Sequence, residues 1–92
     1  MILARAFIGA DNTGKVNMEA IRSLAIQYWP DGVTIYQTSG VWNGGAEESV
    51  CIERSGSAEM WDQWVDFASA LKAACDQQAV LIQYLPVEME VI

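Results

Sequence analysis

Histidine is absent from the 92 residues. Its absence removes imidazole general acid–base catalysis, the Ser-His and Cys-His nucleophile pairs, and most zinc sites. Basic residues are scarce as well: five Lys and Arg stand against twelve Asp and Glu, a net charge of −7. A chain of that sign repels nucleic-acid phosphates and anionic membrane surfaces, so neither is expected as a partner. It can still attract a cationic small molecule, or offer an acidic surface to a DNA-binding protein. Cysteine is limited to Cys51 and Cys75, with no CxxC pair. Both fall within apolar patterning, and buried free thiols in a reducing cytosol are expected. No apolar run approaches the ~18 residues of a membrane span. The first residues carry no basic segment followed by a long apolar core, so a soluble cytoplasmic protein is expected. Metal-ligand spacing is missing among the carboxylates, and neither a metal nor a cofactor is expected.

What is present is a chain that is 52% apolar with only seven Gly and two Pro, which excludes disordered and collagen-like classes. The length suits one domain over residues 1–92. Ile2 to Ile8 reads as a strand, and Asp11-Asn12-Thr13-Gly14 is turn chemistry. Asn17 can cap a helix whose apolar positions are Met18, Ile21, Leu24, Ala25 and Tyr28, ended by Pro30. Val33 to Trp42 is rich in β-branched and aromatic residues; Asn43-Gly44-Gly45 turns it into an antiparallel mate, Glu47 to Arg54. Ser57 can cap a second helix with the stripe Trp61, Trp64, Val65, Ala68, Leu71 and Cys75. Val80 to Leu85 is a further strand, and after Pro86 the alternation of Val87 to Ile92 predicts a short extra edge strand.

The order β-α-β-β-α-β is that of an α+β, ferredoxin-like fold: an antiparallel sheet with both helices on one face. The other face should then alternate as polar. Instead, Leu3 and Phe7 lie opposite Ile2, Ala4, Ala6 and Ile8, and Leu81 and Leu85 lie opposite Val80, Ile82 and Tyr84. A sheet apolar on both faces must be covered on both. Two helices cover one face, so a homo-oligomer is expected to cover the other.

Strand pairing sorts the hairpin. With Val33, Ile35, Val50 and Ile52 facing the helices, Thr34, Tyr36 and Thr38 share the second face with Glu47, Ser49, Cys51 and Glu53. A bulge at Ser39-Gly40 or Gly44-Gly45 would shift this register. Tyr36, Thr38, Glu47 and Ser49 thus gather where subunits would meet, and a carboxylate there needs a cationic partner or ligand. A solvated hairpin shoulder accounts for Glu47 and Glu48 as well. Trp61 and Trp64 fit the helix stripe, and Trp29 closes the core. Trp42, beside the turn, can line a pocket and stack on a purine or a cation. Gly9 to Lys15 lacks the glycine spacing and the hydroxyl residue of a phosphate loop.

The run Trp29-Pro30-Asp31-Gly32-Val33-Thr34-Ile35-Tyr36, continued by Gly40-Val41-Trp42 and Glu48-Ser49, resembles the hairpin of a family of small bacterial proteins. It is also similar to that of small phage-encoded S-adenosylmethionine lyases, trimers of a PII-like subunit. The resemblance implies cleavage of S-adenosylmethionine to methylthioadenosine and homoserine lactone at a subunit interface, with an anti-restriction role. It implies Tyr36 and Glu47 as catalytic residues that hold the substrate; Thr38 and Ser49, from the shared face, and Trp42, from its place beside the turn, are the further residues expected to bind it. The alternative from another class is a non-enzymatic oligomeric module, either a small-ligand sensor or an acidic inhibitor of a DNA-binding protein.

Overall fold

The computed structural model describes residues 1–92, the side chain of Trp42 excepted. Four strands and two helices follow in the order β1 (Ile2–Gly9), α1 (Met18–Tyr28), β2 (Thr34–Trp42), β3 (Gly45–Gly56), α2 (Trp61–Ala74) and β4 (Leu81–Pro86). A 3-10 turn, Ala58–Met60, leads into α2. The sheet order is β2-β3-β1-β4, and every neighbouring pair is antiparallel.

Local chemistry explains the boundaries. The Asn17 side chain accepts a hydrogen bond from the Ala20 amide and starts α1. Ser57 caps the 3-10 turn rather than α2 itself, accepting from Glu59 N–H. Asn43 and Gly44 both have positive φ, 49° and 78°, as a two-residue primed turn requires. The β2–β3 ladder therefore runs unbroken from Thr34↔Glu53 to Trp42↔Gly45, and neither anticipated bulge forms. Gly45, expected in the turn, begins β3.

The core lies between the sheet and the helices. Ile2, Ala4, Ala6 and Ile8 of β1 are buried with Val50 and Ile52 of β3. From the helices come Ile21 and Ala25, then Trp64, Phe67, Ala68 and Leu71. The small residues Ala4 and Ala6 make room for large rings, and Trp64 donates its indole N–H to the Arg5 carbonyl. Trp29, Trp64 and Phe67 pack as an aromatic cluster with centroids 5.2–6.2 Å apart.

Two expectations are corrected. The stripe of α2 contains Phe67, which is fully buried, whereas Val65 is 38% exposed. Both are apolar and stand two positions apart, about 200° around a helix, so one face can bury only one of them. The ring won the core, where three aromatic neighbours receive it. Residues 87–92 form no strand. The Val87 amide bonds the Met1 carbonyl, and beyond that no strand lies beside the segment, so alternation alone gives it nothing to pair with.

The loop before β2 is held by Arg54. Its guanidinium lies 4.8 Å from the Trp29 ring, donates to the Gly32 carbonyl, and pairs with Asp31 at 2.9 Å. That hydrogen bond from Arg54 holds the Asp31 carboxyl below its ordinary range. Cys51 and Cys75 are buried free thiols, and burial pushes both upward in pKa.

Candidate functional site

Strand alternation decides which side chains leave the core, and register decides which of them meet. On the face away from the helices, Tyr36, Cys51, Phe7 and Leu81 form one row across all four strands. Thr34, Glu53, Arg5 and Gln83 form the next, and Ser55, Leu3 and Leu85 the one beyond. The helices pack on the other face, and the loop residues Asp31, Gly32 and Val33 border the second and third rows at the Thr34 edge. Leu81 is left 61% exposed, and Tyr36 39%. The face is apolar in its first and third rows and charged between them.

The charged row is built around an ion pair that reasoning from the sequence missed. Arg5 Nε donates to Glu53 Oε2 at 2.9 Å, with the Glu53 side chain 14% exposed. Arg5 stands in an apolar strand, a signal of its own, but its partner is 48 residues away and only the β1–β3 register reveals it.

Four of the expected site residues share the open face. Thr38 and Ser49 are cross-strand partners with their hydroxyl oxygens 2.6 Å apart. Tyr36 lies two residues along on the same face, opposite Cys51. Glu47 is the next residue on that face beyond Ser49, opposite Gly40. Its carboxylate reaches over the end of β1, where Oε1 lies 3.1 Å from the position a Cβ on Gly9 would occupy. Gly9 is therefore a close-approach glycine, whose amide donates to Gln77 Oε1 at 3.2 Å. The side chain of Trp42, the fifth expected residue, lies outside the described residues.

Beyond Gly9↔Ser49, β2 and β3 have no third strand and project as a two-stranded arm. Between this arm and the start of α1 lies a cleft of about 530 Å³, lined by Val16, Met18, Thr38, Glu47, Glu48 and Ser49 among others. Alternation splits the two adjacent glutamates: Glu47 belongs to the open face with Tyr36, and Glu48, opposite Ser39, to the helix side. Neither glutamate makes an ion pair among the described residues. The cleft offers two carboxylates and the Thr38 and Ser49 hydroxyls beside the apolar Val16 and Met18, while the Tyr36 ring lies on the open face outside its lining. That combination suits a cation with apolar surface. Val16 and Met18 as a cleft wall were beyond sequence reasoning, because they depend on how α1 sits against the hairpin.

The strand order, with both helices on one face, defines a ferredoxin-like α+β fold. Solved structures share it. A phage SAM lyase in its apo state superposes with a TM-score of 0.69 at 18% identity, over 90% of this chain and 78% of that one. A DUF3240 family protein from Shewanella baltica gives 0.66 at 15% identity, over 99% and 94%. The de novo designed protein Foldit4 gives 0.60 at 13% identity, over 95% and 98%. The sequence matches no family model and no curated protein. No helix is long and apolar enough to cross a membrane, and no group of three or more Cys, Asp or Glu among the described residues is placed to hold a metal ion.

Proposed function

We propose that the chain is an S-adenosylmethionine lyase that acts as an oligomer, favoured as a trimer, with its site where a second subunit covers the open sheet face. The observation that carries this reading is the gathering of Tyr36, Thr38, Ser49 and Glu47 on that face. The likeness in fold to a phage SAM lyase over 90% of the chain supports it. The role would be anti-restriction and cytoplasmic, removing the methyl donor that restriction–modification systems use.

The chemistry suits a chain without histidine. The substrate's own carboxylate oxygen attacks its Cγ, the Cγ–S bond breaks, and the bonding pair stays on sulfur. Methylthioadenosine leaves neutral, homoserine lactone keeps its ammonium, and no proton is transferred. The task left to the protein is to fold the substrate so that carboxylate, Cγ and sulfur lie in line. Glu47 holds the α-ammonium by a charge-assisted hydrogen bond, away from the reacting carbon. The Tyr36 ring meets the sulfonium or the adenine, and the Thr38–Ser49 hydroxyl pair binds polar edges. A covering subunit excludes water, which favours the step because the sulfonium and carboxylate charges both vanish in it.

Incubation of the purified protein with S-adenosylmethionine tests this directly, with methylthioadenosine and homoserine lactone as the expected products. A second reading, a non-enzymatic ligand-binding oligomer or acidic inhibitor, is favoured by the exposure of Tyr36, Glu47 and Glu48 in the lone chain. A melting shift on adding S-adenosylmethionine without product would select the ligand-binding form. Neither shift nor product would leave the acidic inhibitor.

A further inference from the structure

We infer that residues 87–92 of one copy add as a fifth strand to the β2 edge of a second copy. Three observations meet here. The segment Val87-Glu88-Met89-Glu90-Val91-Ile92 alternates at strand period, yet no strand lies beside it. Met89, Val91 and Ile92 are left exposed. At the far side of the sheet, β2 offers nine residues of unpaired edge without a charge, a proline or a bulge, the devices that normally protect an edge. Beside that edge, on the helix side, a groove of about 300 Å³ is lined by Arg22, Ala25, Ile26, Trp29, Val33 and Ile35. Ile26 is 70% exposed, and Arg22 makes no ion pair among the described residues. A strand laid on β2 would drop alternate apolar side chains into this groove, with Arg22 at its rim for the acidic residues of the same segment.

The partner has to be another copy. The segment emerges from β4, and β2 lies at the opposite edge of the sheet. A new strand outside β2 sits four strand spacings from β4, about 19 Å. Six extended residues reach about 20 Å, so a segment that crossed its own sheet would have nothing left to pair. The outer edge of β4 is the poorer acceptor, since it is six residues long and ends in Pro86, which has no amide to donate. Donor and acceptor are different surfaces, so the exchange closes either as a reciprocal two-fold pair or, passed head to tail, as a ring. The inference does not depend on the lyase reading.

Sedimentation over a range of concentrations, with hydrogen exchange at the β2 amides, tests it on three proteins: wild type, a deletion of residues 87–92, and Ile26→Glu. Ile26 and residues 88–92 are exposed, and circular dichroism checks that the deletion, which also removes the half-buried Val87 and its bond to Met1, remains folded. Met89→Pro, which blocks strand pairing within the unpaired segment, serves as a further variant should the deletion misfold. The expected result is an oligomer with protected β2 amides for wild type, and dissociation constants at least tenfold weaker, with lost protection, for every variant. A wild-type monomer, unprotected β2 amides, or variants that sediment as wild type would overturn the inference. Methylthioadenosine release measured on the same samples keeps the two readings apart. Release with sedimentation unchanged by the deletion removes the strand contact and leaves the lyase. A protected edge without release does the reverse.

Discussion

Truncation of Phe67 to alanine is expected to cost about 3–5 kcal/mol, the range for a large aromatic removed from a core that cannot collapse around the gap. Phe67 is fully buried, and its ring packs against Tyr28, Trp29 and Trp64 with centroids 5.2–6.2 Å apart. These neighbours are large and held by their own contacts: Trp64 donates to the Arg5 carbonyl and Trp29 is covered by Arg54. They cannot move in to fill the space, so the upper half of the range applies. A chain of 92 residues has about 5–14 kcal/mol in all. With an m-value of about 1.2 kcal/mol/M, a loss of about 4–5 kcal/mol lowers the urea midpoint by about 3.3–4.2 M. Val65→Ala, two positions away on the exposed side of α2, should cost well under 1 kcal/mol and move the midpoint by less than about 0.8 M. Both are measured by circular dichroism at one protein concentration, since an oligomer's stability depends on it. Equal shifts, or a larger one at Val65, would refute the placement of α2 on the sheet.

Glu47→Gln should abolish methylthioadenosine release and leave the melting temperature unchanged, while Glu59→Gln on the exposed 3-10 turn changes neither. Gly9→Ala should lower release without unfolding the protein, because the added Cβ lies 3.1 Å from Glu47 Oε1 and displaces that carboxylate. Arg5→Met should cost about 1–2 kcal/mol in urea unfolding by leaving Glu53 half-buried and unpaired, and the double variant with Glu53→Gln should recover part of the loss. Asp31, held low by Arg54, contributes stability that is present above the ordinary carboxylate pKa near 4 and is lost as pH falls through its lowered folded value. Asp31→Asn should therefore flatten the acid-side dependence of the melting temperature below about pH 4, and an unchanged slope would count against that pairing.

Most of the architecture could be read before the structure because two periodicities carried it. Alternation marked β1 and β4 as apolar on both sides, and the Asn43-Gly44 pair imposed a two-residue turn that set the β2–β3 register without a bulge. Once that register is known, the shared face of Tyr36, Thr38, Ser49 and Glu47 follows from counting. The failures have equally definite causes. Val65 and Phe67 are both apolar, and the stripe drawn through Trp64 and Leu71 accepts either within the width of a helix face. Only the shape of the space above Ala4 and Ala6 chooses the ring.

The misread segment after Pro86 bears on how much of the site any single chain can show. Alternation states that a stretch can pair, but pairing needs an edge within reach, and that is a property of the assembly. The same logic governs Glu47. Its position on the open face follows from a local turn, whereas its working environment depends on what lies above the row of Tyr36, Cys51, Phe7 and Leu81. Exposed to water, a carboxylate binds an ammonium weakly and selects little among cations. Under a second subunit, with Phe7 and Leu81 excluding water, the same carboxylate requires a positive partner and holds it tightly. The Arg5–Glu53 pair already satisfies itself within one chain, so it asks nothing of a ligand. Glu47 has no such partner among the described residues, which makes it the carboxylate whose charge should matter to binding.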